Sequence, residues 1–226
     1  MAAIYSHGKR PYCFPSEPMM TDIDEFFRSR VPHIGYEIPQ NESRAVWAVG
    51  NLLYKLDSQV KDFSAALELY DLCEADRQNT PFSWPFFAAR EGAMTILHFQ
   101  ETMRIISEQS LRLAPSLQAK VDHSILRQAK SLFRSFFQQA RSIRDAVAHP
   151  EITGPAPAAS RGIMIAHSLA GRRYVTDFMG KRLSYELSAK SLENLTTVKK
   201  RFFSGFDTVN ALIRKEPSTP GSGESA

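Results

Sequence analysis

Apolar residues recur at spacings of three and four through three long stretches of this sequence, and that period indicates amphipathic α-helices. The first stretch begins within residues 41–43 and predicts one long helix, or two with a bend near Asp57. The second runs over residues 83–114 and the third from about residue 122 to residue 149. Short connections between long helices favour antiparallel neighbours, so these stretches predict an antiparallel helical bundle.

Three details of the helical stretches concern packing. Gly92 and Ala93 lie in the middle of the second stretch and predict that a neighbouring helix approaches closely there. Trp47 and Trp84 are large and amphipathic, which makes them candidate core or interface anchors. The apolar positions of the third stretch include Phe133, Phe136 and Ile143, and its period does not show whether the helix is interrupted near "FFQQ".

The apolar period changes after the loop "TGPAPAASRG". The segments "IMIAHSL", "RRYVTDF" and "RLSYELS" are alternating or rich in β-branched and aromatic residues, with "AG" and "MGK" as turns between them. They predict a small antiparallel β meander, or only a hairpin, over about residues 161–188. A final helix is predicted from about Ser188 to Arg214. The predicted fold class is therefore mainly α, an antiparallel helical bundle with a small antiparallel β element before the last helix.

The domain organisation follows from composition along the chain. Residues 1–40 are rich in proline and turn residues and predict an extended N-terminal segment, whereas 216–226, "EPSTPGSGESA", has the composition of a disordered tail. Residues 41–215 between them form one predicted domain. A content of 43% apolar residues is enough for a packed core.

The cysteines and the apolar runs limit the class of protein. Only two cysteines occur, Cys13 and Cys73, so the sequence predicts no disulfide framework and no metal-ligand cluster. The motifs G-x-x-x-x-G-K-[ST] and G-x-G-x-x-G are also absent, and no cofactor is expected. No apolar run reaches the roughly 20 residues of a membrane span, and residues 1–20 lack the apolar core of a secretory signal. These features predict a cytoplasmic protein without membrane contact.

Positive charge is concentrated late in the chain. Residues 1–150 carry 17 basic and 17 acidic side chains, whereas residues 151–215 carry 11 basic and 5 acidic ones. Such asymmetry favours contact with a polyanion such as RNA, although a solvated basic surface is an equally common explanation. The candidate RNA-binding residues are Arg172, Arg173, Lys181, Arg182, Lys199, Lys200 and Arg201. Tyr174 and Tyr185 lie between them and are candidates for stacking on bases.

The candidate catalytic residues lie in "RDAVAH" at the end of the third helical stretch: Arg144, Asp145 and His149. On a regular helix Arg144 and His149 project about 140° apart, but Pro150 disfavours helical geometry at His149. The structural alternative pairs Arg144 with an acid such as Glu91 or Asp145 and leaves His149 at a helix C-terminus, where a cation is favoured.

The segment "RDAVAH" on the last core helix of a bundle resembles the signature of the HEPN superfamily (higher eukaryotes and prokaryotes nucleotide-binding domain). The resemblance implies a metal-independent endoribonuclease of the toxin, phage-defence or RNA-processing kind, with Arg144 and His149 as the reacting pair and Asp145 orienting them. It also implies a homodimer, with motifs from both chains lining one cleft, and a neutralising partner protein if the chain is a toxin.

This chemistry is physically consistent, because RNA supplies its own 2′-OH nucleophile, a histidine transfers the proton and an arginine neutralises the phosphate. Two alternatives to the enzyme are a non-catalytic, dimeric binding or scaffold protein of the same fold and a helical subunit of a larger assembly.

Overall fold

The computed structural model describes Pro32, Ile34 and residues 38–140, 142–143, 167–178 and 181–209. Of residues 167, 168, 177, 178 and 181 it describes the backbone only. All these residues belong to one compact unit that begins at Pro32. The predicted N-terminal segment and C-terminal tail lie almost entirely outside the described residues.

The first two long helices pack against each other along their length. Helix α1 spans Ser43–Ala75 without a break and is preceded by a 3-10 turn, Gln40–Glu42. Helix α2 spans Ser83–Ile105 and continues through a π-helical segment, Ile106–Ser110, and a 3-10 turn, Leu111–Leu113. The apolar stripes face each other as predicted, and the buried side chains of these helices include Val49, Leu53, Phe63, Ile96, Phe99 and Met103.

Further helices follow α2 in the described part of the chain. The short helix α3 spans Pro115–Gln118, α4 spans His123–Phe136, and α5 spans Ala189–Ser204. Helix α5 packs mainly on α4 and also on α1. Its predicted inner face is buried at Leu195, Val198 and Phe202.

The predicted β element is a three-stranded antiparallel meander. Strand β1 spans His167–Ala170, β2 spans Arg173–Phe178 and β3 spans Lys181–Glu186, in the order β1-β2-β3. Gly171, in the two-residue turn between β1 and β2, has a φ of 57°, a conformation that glycine adopts without strain. The hydroxyl of Tyr70 in α1 donates to the Gly171 carbonyl at 2.6 Å, which fixes this turn to the bundle.

The structure confirms the predicted fold class and corrects three details. The absence of a side chain at Gly92 leaves space for Tyr185 and Leu187 of the β element and for Phe63 of α1. The close approach at Gly92 is therefore mainly that of the β element and less that of a neighbouring helix. Trp47 and Trp84 are 70% and 49% exposed, so of their two predicted roles, core or interface anchor, the core role is excluded.

The third detail concerns the helical run predicted from about residue 122 to residue 149, in which the period left an interruption near "FFQQ" open. It stops at Phe136, because the next residue, Phe137, leaves helical geometry with φ −125° and ψ 55°. Helical backbone returns at Ala140 and at residues 142–143.

Candidate functional site

Arg144, Asp145 and His149 lie outside the described residues. The last described residue before them is Ile143, whose side chain is 2% exposed and whose backbone N–H donates to the Gln139 carbonyl at 2.9 Å. The part of the fold that can be examined as a site is therefore the surroundings of Ile143.

Ile143 lines a cleft of about 430 Å³ between α2, the end of α4 and the β element. The apolar wall of this cleft includes Ala93, Ile96, Phe137, Ala140 and Ile143. Its polar side includes Gln138, Gln139, Arg173, Ser184, Glu186 and Ser191. A volume of this size suits a small ligand or a single flipped nucleotide.

The break after α4 creates one wall of the cleft. Because Phe137 leaves helical geometry, residues 138 and 139 form a turn that carries two amide side chains towards the sheet. The Gln139 side-chain oxygen accepts a hydrogen bond from the backbone N–H of Ser184 at 2.9 Å. This bond closes the cleft on the side of β3 and holds the turn in place.

Arg173 is the one cation among the described residues that line the cleft, which also include the carboxylate of Glu186. It lies directly opposite Glu186 in the pairing of β2 with β3, and both residues line the cleft. The Glu186 carbonyl accepts from the Ser191 hydroxyl at 2.7 Å, which joins the end of β3 to the first turn of α5. A guanidinium in this position is suited to bind a phosphate group through two parallel hydrogen bonds.

Tyr185 is a neutral group of the cleft. Its hydroxyl donates to the Ala89 carbonyl in α2, and burial raises its pKa far above the ordinary value. The lining residues that the structure describes include no histidine, cysteine or lysine. Arg173 can therefore contact an anion here, although the Glu186 carboxylate adds a negative charge, and a histidine for proton transfer has to come from another part of the chain.

Two of the predicted RNA-binding residues are engaged in intramolecular ion pairs. Lys199 is 7% exposed and its Nζ lies 2.5 Å from Asp57 Oδ1, so the prediction that it contacts RNA is wrong. Arg172 is exposed, forms an ion pair with Asp71 and lies 5.4 Å above the ring of Tyr70. Its guanidinium fixes the β1–β2 turn to α1, on a different side from the cleft of Ile143.

The other candidate cations divide between two elements. Arg173 and Arg182 are exposed on the sheet, whereas Lys200 and Arg201 are exposed on α5, where Arg201 donates to Gln128 of α4. The side chain of Lys181 is not among those that the structure describes. A single basic patch requires the sheet to pack on the last helix, but the main helical neighbour of the sheet is α2.

Tyr174, predicted to stack on bases, is 1% exposed. Burial raises its pKa to about 12, and its ring packs against the rings of Phe86 and Tyr185. It is a core residue, so that prediction is wrong.

A second cleft, of about 720 Å³, lies where the α1–α2 connection meets the β1–β2 turn. Its lining is largely apolar and includes Pro81, Phe82, Phe86 and Leu169. The thiol of Cys73 borders it, but the side chain is 2% exposed and burial raises its pKa, which disfavours the reactive thiolate. Cys73 is therefore not a candidate nucleophile for this cleft.

Sequence reasoning missed Gln139, Ser184 and Glu186 as site residues. Their only sequence signals were the polar pair after "FF" and their places in a short alternating segment, neither of which is specific. They meet because the sheet folds back onto the turn after α4, which no local pattern predicts.

The comparisons with known proteins found no match: no family model fits the chain, and neither the curated proteins nor the solved structures contain a significant relative. Within the described ranges, no group of three or more His, Cys, Asp or Glu side chains is arranged to hold a metal ion. None of the described helices is both long enough and apolar enough to cross a membrane.

Proposed function

We propose that this chain is a metal-independent endoribonuclease of the HEPN type, in which Arg144 and His149 act on a phosphodiester of RNA. One observation supports the proposal: Ile143, the residue directly before Arg144, lines a cleft that also contains Arg173, Glu186 and several neutral polar groups. The motif is thus joined to the wall of a pocket whose size suits a ribonucleotide and whose arginine can contact a phosphate.

The proposed reaction is an internal transfer of the phosphodiester. His149 takes the proton of the 2′-OH, the 2′ oxygen attacks phosphorus, and the bond to the 5′ oxygen breaks as that oxygen takes a proton from the protonated His149. Arg144 and Arg173 neutralise the charge that develops on the phosphate oxygens. Asp145 orients the pair. The products are a 2′,3′-cyclic phosphate and a 5′-OH end, and the chemistry needs no metal ion.

The first prediction concerns His149→Ala on mixed cellular RNA in the presence of EDTA. Cleavage should fall by at least about 100-fold because the proton carrier is lost. Circular dichroism should show the wild-type helix content, which separates the loss of the reacting group from a loss of the fold. Mass spectrometry of the wild-type products should show cyclic 2′,3′-phosphate ends.

Arg173→Ala extends this experiment to the described part of the cleft. It should lower cleavage about tenfold by removing one phosphate contact. The matched control is Lys200→Ala, which removes one exposed cation on α5 that does not line the cleft. Equal cleavage by wild type and His149→Ala, or equal losses in Arg173→Ala and Lys200→Ala, would contradict the proposal.

The second candidate is a non-catalytic, dimeric binding or scaffold protein. The observation that favours it is the number of large apolar side chains in solvent, among them Trp47, Phe82 and Phe87 at 70%, 100% and 57% exposure. Large aromatic groups of this kind commonly anchor protein interfaces. Absence of cleavage by wild type across broad RNA substrates would select this candidate.

A further inference from the structure

Helix α1 has a continuous solvent-exposed stripe on the side that faces away from the bundle. The stripe residues repeat at alternating spacings of three and four along the whole helix, which is the period of a coiled-coil seam. They are Arg44, Trp47, Asn51, Tyr54, Ser58, Lys61, Ala65, Glu68, Leu72 and Ala75, and all of them are exposed. Trp47, Tyr54 and Leu72 are 70%, 54% and 68% exposed, although a solvated helix face normally has polar groups there.

The two halves of α1 carry opposite charge. Between residues 44 and 61 the exposed charges are all positive, because the single carboxylate, Asp57, is buried and paired with Lys199 and Lys61. From residue 62 to the end of the helix the charged residues are all acidic. A helix dipole favours acids near the N-terminus and bases near the C-terminus, so helix stability does not account for this order.

We propose that α1 binds α1 of a second copy of this chain in antiparallel orientation, about a two-fold axis between residues 59 and 60. An antiparallel seam joins residues whose numbers are equally distant from the axis. Trp47 of one copy then packs on Leu72 of the other, and Tyr54 packs on Ala65, a large residue against a small one. Asn51 lies opposite Glu68.

The flanking charges agree with the same register. Lys55 and Asp62 are exposed, occupy equivalent heptad positions at the edge of the stripe, and lie on opposite sides of the axis. The antiparallel arrangement brings Lys55 of one copy beside Asp62 of the other, and the symmetry forms this pair twice. The basic half of each helix therefore meets the acidic half of its partner along about 38 Å of seam.

A second copy fits this surface better than a nucleic acid does. The basic half alone, with its Trp and Tyr, resembles a platform for single-stranded RNA. The acidic half of the same helix would repel that polyanion, and a polyanion would not cover the exposed Leu72 in that half. A second copy in antiparallel orientation contacts both the basic and the acidic half of α1.

The proposed interface is independent of the proposed ribonuclease. None of the stripe residues lines the cleft beside Ile143, so both copies of the pair keep that cleft open. It also differs from the dimer that the HEPN resemblance implies, in which the motif region forms the contact. Ile143 and Ala140 of that region are buried within their own chain.

The test is sedimentation velocity of the full chain from low to high micromolar concentration. Wild type should show a monomer–dimer equilibrium. Lys55→Glu or Asp62→Lys alone should raise the dimer Kd about tenfold, since each creates two like-charge pairs. The double variant K55E/D62K should return the Kd to near the wild-type value, because the pairs re-form with reversed sign.

Trp47→Ala should also weaken the dimer by tenfold or more, because it removes two apolar contacts from the seam. The matched control is Leu113→Ala, which removes a side chain that is 71% exposed but lies outside α1. Its Kd should equal that of wild type.

Three outcomes would overturn the proposal. A monomer at every concentration excludes self-pairing. A dimer that is insensitive to Trp47→Ala and to both charge reversals uses another surface. Failure of the double variant to restore association contradicts the antiparallel register. If the protein is a monomer at every concentration, binding of a fluorescent single-stranded RNA is measured next. Binding to wild type but not to Trp47→Ala would show that the exposed stripe of α1 binds nucleic acid.

Discussion

Asp57 and Lys199 form an ion pair that is almost completely buried between α1 and α5. Their side chains are 4% and 8% exposed, and a second, half-exposed cation, Lys61, lies 3.3 Å from the other carboxylate oxygen. Lys199 Nζ also lies 6.0 Å from the centre of the Phe203 ring. Burying a charge is costly unless a partner compensates it, so each member requires the other. The role of Lys199 is therefore to join two helices.

Asp57→Ala should lower the free energy of unfolding by about 3–5 kcal/mol, since it leaves Lys199 buried without its partner. Lys199→Met should cost less, because Lys61 still neutralises Asp57 and the methionine fills most of the volume. The measurement is urea unfolding followed by circular dichroism. Lys200→Met, at the next and exposed position of α5, is the control and should change stability by less than about 0.5 kcal/mol. Equal losses of unfolding free energy in Lys199→Met and Lys200→Met would contradict the role of Lys199 in joining α1 and α5.

At the scale of single elements, the start of helix α4 depends on one carboxylate. Asp122 Oδ1 accepts hydrogen bonds from the backbone N–H groups of Ser124 at 2.8 Å and Ile125 at 3.1 Å, and from the Ser124 hydroxyl at 2.7 Å. These bonds, with that of the Ser124 hydroxyl first, lower the pKa of Asp122 below its ordinary value of 3.8. The carboxylate thus satisfies N–H groups that have no partner within the helix.

The stability of α4 should depend on pH through Asp122. Because the folded-state pKa is lowered, the stabilisation is present above the ordinary pKa and is lost as the pH falls through the folded-state pKa. Asp122→Ala should lower Tm at neutral pH, and the difference from wild type should shrink as the solution is acidified below pH 3.8.

Asp122→Asn is the control for this prediction. It keeps a hydrogen-bond acceptor at the cap, so its Tm at neutral pH should lie between those of wild type and the alanine variant. A Tm difference between wild type and Asp122→Ala that stays constant from neutral to acidic pH would contradict the assignment.

At the scale of the whole molecule, the contact between the β element and the bundle depends on Gly92. A methyl group at this position would lie 2.7 Å from the Tyr185 hydroxyl and 2.8 Å from Leu187 Cδ1. The Tyr185 side chain cannot shift easily, because its hydroxyl donates to the Ala89 carbonyl and its ring packs on Tyr174. Close packing of the sheet on α2 therefore requires a residue without a side chain at position 92.

Gly92→Ala should destabilise the fold by about 1–3 kcal/mol through overpacking, despite the better helix propensity of alanine. Gly50→Ala is the matched control, at an interior position two turns from the start of α1. Its methyl group would meet only Ile34, at 3.7 Å, an ordinary contact, so this variant should gain about 0.5–1 kcal/mol. Urea unfolding of both variants measures the difference. A stabilised Gly92→Ala would show that the sheet does not pack closely on α2.

The local patterns of the sequence determined the elements. The three-and-four spacing of apolar residues placed α1, α2, α4 and α5, and the change to alternation after the proline-rich loop placed the three strands. These signals are reliable because each depends only on which side of its own helix or strand faces the core. The apolar segments of the sequence were therefore sufficient to predict a helical bundle with a small antiparallel sheet.

The tertiary structure decided how side chains from distant segments meet. Lys199 looked like part of a basic run, but its partner lies 142 positions earlier in the chain. The cleft beside Ile143 exists because Phe137 interrupts the helix and Gln139 then binds β3, whereas the apolar period continues through that break. Long-range contacts of this kind arise from the packing of finished elements, and the period of one segment carries no information about the surface it will meet.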